Sequence, residues 1–193
     1  MKLIVITHPE HLPGEEKLIT ALFETGLERL HLRKPTYTRS ETEKLLQAIP
    51  FEYYSRIVLH DYHTLALQYA LGGIHLNDRN PLEPKEYVGG ISCSCHSLGE
   101  VRERKNRMDY VFLSPIFDSI SKQSYVSGYT DLMLREASNA GIIDEKVVAL
   151  GGILPERIDY LNEIGFGGAA ALGVIWKTPT IEGVQAILKR FLK

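Results

Sequence analysis

Apolar residues follow two rhythms along this chain. Eight short runs, at 3–7, 29–33, 56–60, 73–76, 90–95, 110–113, 146–150 and 168–172, are dense in aliphatic residues and predict strands. Between them, apolar positions recur at spacings of three and four, the period of a helix with one buried face. These stretches predict helices at about 15–25, 40–48, 62–70, 98–105, 131–139 and 155–164 and from Ile181 onward, with a short, poor one at 84–87. Ser40 and Glu43 have the spacing of a capping box at the start of the second helix. Several strands are continuous apolar runs, as a parallel sheet covered on both faces requires. Regular strand–helix alternation predicts an α/β chain folded as one (β/α)8 TIM barrel over residues 1–193. That length is short of the roughly 250 residues typical of the fold, so most loops must be lean. One connection is not. Residues 114–130 are polar and aperiodic, and structureless connections of such length are usually lids or binding loops.

Barrels of this kind place chemistry at the C-terminal ends of their strands. The unusual polar residues collect there: His31-Leu32-Arg33-Lys34, His60-Asp61, Asn77-Asp78-Arg79-Asn80, Ser94-Cys95-His96, Ser114-Pro115, Gly151-Gly152 and Gly173. Side chains alternate along a strand, so His31 and Arg33 share a face. With Leu30 and Leu32 toward the helices, Arg33 points into the mouth of the barrel. An unpaired guanidinium there is costly. It calls for a ligand phosphate, gripped by two bonds, or for an internal ion pair with Asp61. Asp61 and the 77–80 stretch offer the oxygen donors that Mg2+ uses together with substrate phosphates. Taken alone, Asp61 reads equally well as a helix cap. His75, inside the fourth strand, is either a satisfied core group or a residue of the mouth. Ser94, His96 and Ser114 bring hydroxyl and imidazole groups to the same end. Their spacing is not that of a nucleophile elbow, which sets a hydrolase aside. Gly151-Gly152 and Gly173 follow the seventh and eighth strands, where such barrels build a backbone cradle for phosphate; the alternative is that they only make tight turns. In the long connection, Ser119, Ser121 and Lys122 are candidate anion contacts, with a solvated charge as the other reading of the lysine.

Charge and composition narrow the partners. The net charge is −2 with no basic stripe, which argues against a nucleic-acid binder. No apolar run approaches the roughly 20 residues of a membrane span. The apolar part of the N-terminus is too short for a signal peptide and reads as the first strand. Cys93 and Cys95 share a strand face and match neither a zinc pattern nor CxxC. They read as reduced core cysteines of a cytoplasmic protein. Small-molecule substrates remain the expected partners, and nothing in the pattern specifies an oligomer.

Taken in order, these motifs resemble the thiamine phosphate synthase family, which also contains thiazole tautomerases, over nearly the whole chain. Ile6-Thr7-His8 resembles the family's start, although an aspartate commonly follows the threonine. His31-Leu32-Arg33 stands at its Gln-x-Arg motif, His60-Asp61 at its Asn-Asp, and Gly73-Ile74-His75-Leu76 at its Gly-Ile-His-Ile. Ser94-Cys95-His96, Asp109 to Phe117, Ser119-Ile120-Ser121-Lys122 and Ala149 to Ile153 follow with matching order and spacing. The resemblance implies a transferase that joins hydroxymethylpyrimidine diphosphate to a thiazole phosphate and releases pyrophosphate. It implies that Arg33, Lys122 and Ser94 contact the diphosphate, Asp61 holds Mg2+, and His31 and His75 flank the pyrimidine beside His60. It assigns Ser119, Ser121, Gly152 and Gly173 to the thiazole phosphate. The chain also departs from the pattern. Asn80 aligns with the second metal-binding aspartate, with Asp78 close by to compensate. Pro35 holds a lysine position, with Lys34 beside it facing the other way. His31 is a tautomerase feature, whereas Ser114-Pro115-Ile116 is synthase-like, with Pro115 where the tautomerase has its catalytic histidine. Three readings follow: a Mg2+-dependent transferase; a tautomerase using His31, His60 or His96 as acid–base group; or a non-catalytic binder of a phosphate ligand.

Overall fold

The computed structural model describes residues 1–118 and 128–193. Its eight parallel strands pair in sequence order and close into a barrel: β1 (Lys2–Ile6), β2 (Arg29–Leu32), β3 (Ile57–Leu59), β4 (Gly73–Leu76), β5 (Gly90–Cys95), β6 (Tyr110–Leu113), β7 (Val147–Leu150) and β8 (Gly168–Ala171). Outside them lie α1 (Glu15–Glu24), α2 (Arg39–Gln47), α3 (Thr64–Gln68), α4 (Leu98–Arg104), α5 (Asp131–Asn139), α6 (Ile158–Ile164) and α7 (Ile181–Phe191). Every predicted strand is present.

The helices show where local chemistry overrode periodicity. The capping box at α2 is not Ser40 with Glu43. It is Thr38 with Glu41: the Thr38 Oγ1 accepts from the Glu41 N–H, and the Thr38 N–H donates to the Glu41 carboxylate at 2.7 Å. Thr38 has the extended backbone that a cap needs, while Ser40 already lies inside the first turn. Helix α3 is shorter than predicted because Tyr62 and Ala70 both take positive φ, 54° and 49°, which ends helical continuation on each side. The predicted helix at 84–87 is absent. A turn closed by Tyr87 N–H to the Pro84 carbonyl stands there, with Glu86 at φ 61°. Pro81 and Pro84 remove donors and restrict the residues before them, so this connection stays irregular.

Strand alternation splits the core in two. Leu3, Val5, Leu30, Leu32, Ile57, Leu59, Cys93 and Cys95 face outward into the layer shared with the helices. Each such fully buried aliphatic side chain contributes about 1.5–3 kcal/mol. Inside the barrel, Ile4, Ile6, Phe112, Val148 and Ala170 fill the side formed by β1, β6, β7 and β8. The side formed by β2 to β5 is polar, with His31, His60, His75 and Ser92 buried there. The site grows out of that polar half.

Candidate active site

The polar half of the barrel is one hydrogen-bonded array. His31 Nδ1 shares a hydrogen bond with His60 Nε2 at 2.9 Å, and His31 Nε2 shares one with the Tyr110 hydroxyl at 2.6 Å. His75 bonds Ser92 Oγ through Nδ1 at 2.8 Å and Ser94 Oγ through Nε2 at 2.9 Å. Burial is the main reason that all three imidazoles titrate well below their ordinary value, with cationic or histidine neighbours adding to it; His75 is pushed down to about 3. They are therefore neutral at pH 7. Their ring nitrogens lie within 4.8 Å of one another, close enough to suggest a metal. The orientation speaks against it: the His60 and His75 rings stack, 4.2 Å apart and 24° off parallel, so their lone pairs run side by side rather than converging. Both His75 nitrogens are also taken by serines. His31 and His75 have no exposed surface, and they meet the mouth through His60 and Ser94.

Above this array lies a half-open cavity of about 870 Å³, lined by Arg33, His60, Arg79, Ser94, His96 and Gly151 among others. Arg33 follows β2 and points into it, as Leu30 and Leu32 face the helices. The sequence offered Asp61 as its partner, but Asp61 pairs with Arg79. Arg79 Nε and Nη2 donate to Asp61 Oδ1 at 3.2 and 3.0 Å, and Nη2 also to Oδ2 at 3.2 Å. Nor does Asp61 cap α3, whose N-cap has no side-chain bond. The Arg33 side chain makes no hydrogen bond or ion pair among the described residues. Its pKa is lowered first by burial and then by Arg79, with Asp61 pulling the other way.

Lys34, next along, turns away from the cavity. Its Nζ donates to the carbonyls of His8 and Glu10 at 2.8 and 2.7 Å and lies 2.5 Å from Glu15 Oε2. Burial raises the Glu15 pKa and lowers that of Lys34, each partner opposing the other's shift.

The glycine loops bound the opposite side. Gly151 and Gly152 have φ of 99° and 62°. A Cβ at Gly151 would come within 2.9 Å of Pro115, and one at Gly152 within 2.5 Å of the Asp118 carbonyl. The glycines thus let the β6–α5 connection lie directly on the end of β7, where Ile116 N–H donates to the Leu150 carbonyl. Gly173 sits in the turn after β8. Among the described residues, no hydrogen bond engages the N–H groups of Gly152, Ile153, Gly173 or Val174. Two loops therefore offer free donors to one mouth, which is the chemistry of an anion cradle. Ser119, Ser121 and Lys122 lie outside the described residues.

As a magnesium site, Asp61 and Asn80 do not fit. Both Asp61 oxygens are bonded by Arg79. Asn80 presents its amide nitrogen, donating to Asp61 Oδ1 at 2.9 Å and to the His60 carbonyl at 3.3 Å. Asp78, expected to compensate, is exposed and, among the described residues, makes no hydrogen bond to Asp61 or Asn80. Sequence reading also left Arg79, Tyr110 and Ser92 without roles. Arg79 stood in the 77–80 motif, which was read for its oxygen donors; Tyr110 opens β6 and Ser92 lies within β5, so strand pairing brings Ser92 to His75 and barrel closure brings Tyr110 to His31.

Fold and site together define a (β/α)8 barrel with an anion-oriented mouth of cationic side chains and free backbone donors. The chain belongs to the thiamine monophosphate synthase family, whose sequence profile matches residues 3–175. It is 27% identical to the thiamine-phosphate synthase of Halalkalibacterium halodurans, over all of this chain and 95% of that one. It is 28% identical to that of Shouchella clausii, over 99% and 94%. The crystal structure of a thiamine phosphate pyrophosphorylase from Bacteroides thetaiotaomicron superposes with a TM-score of 0.91 and 47% identity, covering 100% of this chain and 96% of that one. A 3-hexulose-6-phosphate synthase, 13% identical with a TM-score of 0.63, shares the fold alone.

Proposed function

We propose that this protein is a thiamine-phosphate synthase, which joins hydroxymethylpyrimidine diphosphate to thiazole phosphate and releases pyrophosphate. Family membership supports the reaction class. The observation that carries the site is Arg33: a half-buried guanidinium with no hydrogen bond or ion pair to its side chain among the described residues, facing a cavity that Gly151 and Leu172 of the two glycine turns also line. Such a mouth has a place for each of two phosphorylated substrates.

In this reading the C–O bond to the diphosphate breaks, the pyrimidine carbon becomes cationic, and the thiazole nitrogen donates its electron pair to form the new bond. No protein nucleophile is needed. The protein's work is to hold both reactants in line and to stabilise the charge that develops on the leaving diphosphate. Arg33 and Ser94 serve the diphosphate, together with Lys122 as the resemblance implies. Gly152 and Gly173, with Ser119 and Ser121, serve the thiazole phosphate. His60 forms the floor, held in orientation by His31 and, through stacking, by His75. Magnesium, when bound, would offset diphosphate charge; Asp61, held by Arg79 and Asn80, offers it no carboxylate cradle. A cytoplasmic setting suits the two free, buried cysteines, and no helix among the described residues is long and apolar enough to cross a membrane.

The test is turnover of the purified protein with both substrates, with thiamine phosphate read by mass and an active synthase as control. Product that depends on both substrates supports the proposal. A folded protein that yields none, beside a working control, refutes it.

A further inference from the structure

The donor set around Asp61 suits a guanidinium better than a divalent ion. We infer that Arg79, anchored on Asp61, stands in the place of a carboxylate-bound metal ion and itself binds the diphosphate group. This inference rests on the transferase reading above. A magnesium ion in such a site is two-sided, with protein carboxylate on one side and substrate phosphate oxygens on the other. Arg79 has the same two sides. Its Nε and Nη2 edge lies on Asp61. Its Nη1 makes no hydrogen bond among the described residues, and Arg79 lines the same cavity as Arg33 and Ser94. A guanidinium carries five N–H donors in a planar fork, so one edge can hold a carboxylate while another meets a phosphate.

Asn80 fits this arrangement better than an aspartate would. Its two partners, the Asp61 carboxylate and the His60 carbonyl, are both acceptors. A carboxylate has no proton to give to either, and at that position it would bring two anions into contact. With a single positive charge in place of a double one, one carboxylate suffices. Two guanidinium groups, Arg33 and Arg79, then share one wall of the mouth, near enough for the second to act on the first. An anion between them relieves that repulsion.

The experiment titrates inorganic pyrophosphate calorimetrically into the purified full chain, in EDTA and in excess Mg2+. The wild type is expected to bind in EDTA. Arg79→Met should weaken that metal-free binding about 10- to 100-fold, the usual effect of losing a hydrogen bond to a charged group. Arg79→Lys should recover only part, because it keeps the charge and loses the fork. Arg79 is half exposed, so the variants should keep the wild-type Tm. The double variant Arg79→Met, Asn80→Asp frees Asp61 and adds a carboxylate, and its pyrophosphate binding should require Mg2+. Wild-type binding that vanishes in EDTA, or metal-free binding untouched by Arg79→Met, overturns the inference. Turnover is followed in parallel. Metal-free binding lost in Arg79→Met, without thiamine phosphate from the wild type, sustains the inference and overturns the transferase reading. Thiamine phosphate formed alongside pyrophosphate binding that needs Mg2+ does the reverse.

Discussion

Arg33 was legible as a mouth residue because strand alternation is a property of the backbone. Its pairing was not, because Asp61 and Arg79 lie 18 positions apart and meet only when β3 and β4 lie side by side. In the structure Asp61 pairs with Arg79 instead, and the proposed function gives Arg33 the part of a ligand group. Arg33→Ala should therefore lower pyrophosphate affinity about 10- to 100-fold and leave the urea unfolding midpoint close to that of the wild type. A large loss of stability with unchanged affinity would give the residue a structural role instead. Asn80 shows the opposite case. Sequence alignment could say that it replaces an aspartate, but only its two acceptor neighbours show that the amide faces inward as a donor.

Two connections carry most of the energetic consequences at the level of elements. The β1–α1 loop is tied to the end of β2 by Lys34, which reaches two loop carbonyls and Glu15 while its side chain is 1% exposed. Removing one partner of a buried pair leaves the other charged and unsolvated, at a cost of about 3–5 kcal/mol. Lys34→Met should lose about that much in urea unfolding, and the double variant Lys34→Met, Glu15→Leu should regain a good part; equal losses in both would show that the carbonyl bonds, not the charge pair, hold the loop. The β7–α6 turn depends on Gly152. At φ 62° with 2.5 Å to the Asp118 carbonyl, it has no room for a methyl group. Gly152→Ala should cost about 1–2 kcal/mol from the left-handed backbone alone, read as a lowered Tm, and more from the displaced 115–118 segment. The sequence announced both glycines by their place after the seventh strand. It did not show that they accommodate the β6–α5 connection as well as leaving N–H groups free.

A whole-molecule property follows from placing three neutral histidines in one barrel. Unfolded histidine titrates near pH 6.5, whereas His75 in the folded chain titrates at about 3, and His31 and His60 are also shifted well down. Between those values the unfolded chain binds protons that the folded chain does not, so stability is full above about pH 6.5 and falls as the pH falls. Each such histidine contributes a slope of up to about 1.4 kcal/mol per pH unit. Urea midpoints measured from pH 7.5 down to pH 5 should decline steeply, and His75→Gln should make the decline shallower. A flat profile would mean that the histidines are solvated or paired with acid.

By itself the sequence determined the eight strands, the handed alternation with helices, the end of the barrel where chemistry collects and the family resemblance. These depend on local periodicity and on turn residues, and both are written into neighbouring positions. The exceptions were local as well: proline chemistry at 81 and 84, left-handed residues at 62 and 70, and a cap two positions earlier than expected. Only the tertiary structure decided who pairs with whom inside the barrel. The array from His60 through His31 to Tyr110, the bond between Asp61 and Arg79, and the inward amide of Asn80 all join residues on different strands or loops. Their distances are set by strand register and barrel closure, which no stretch of sequence contains.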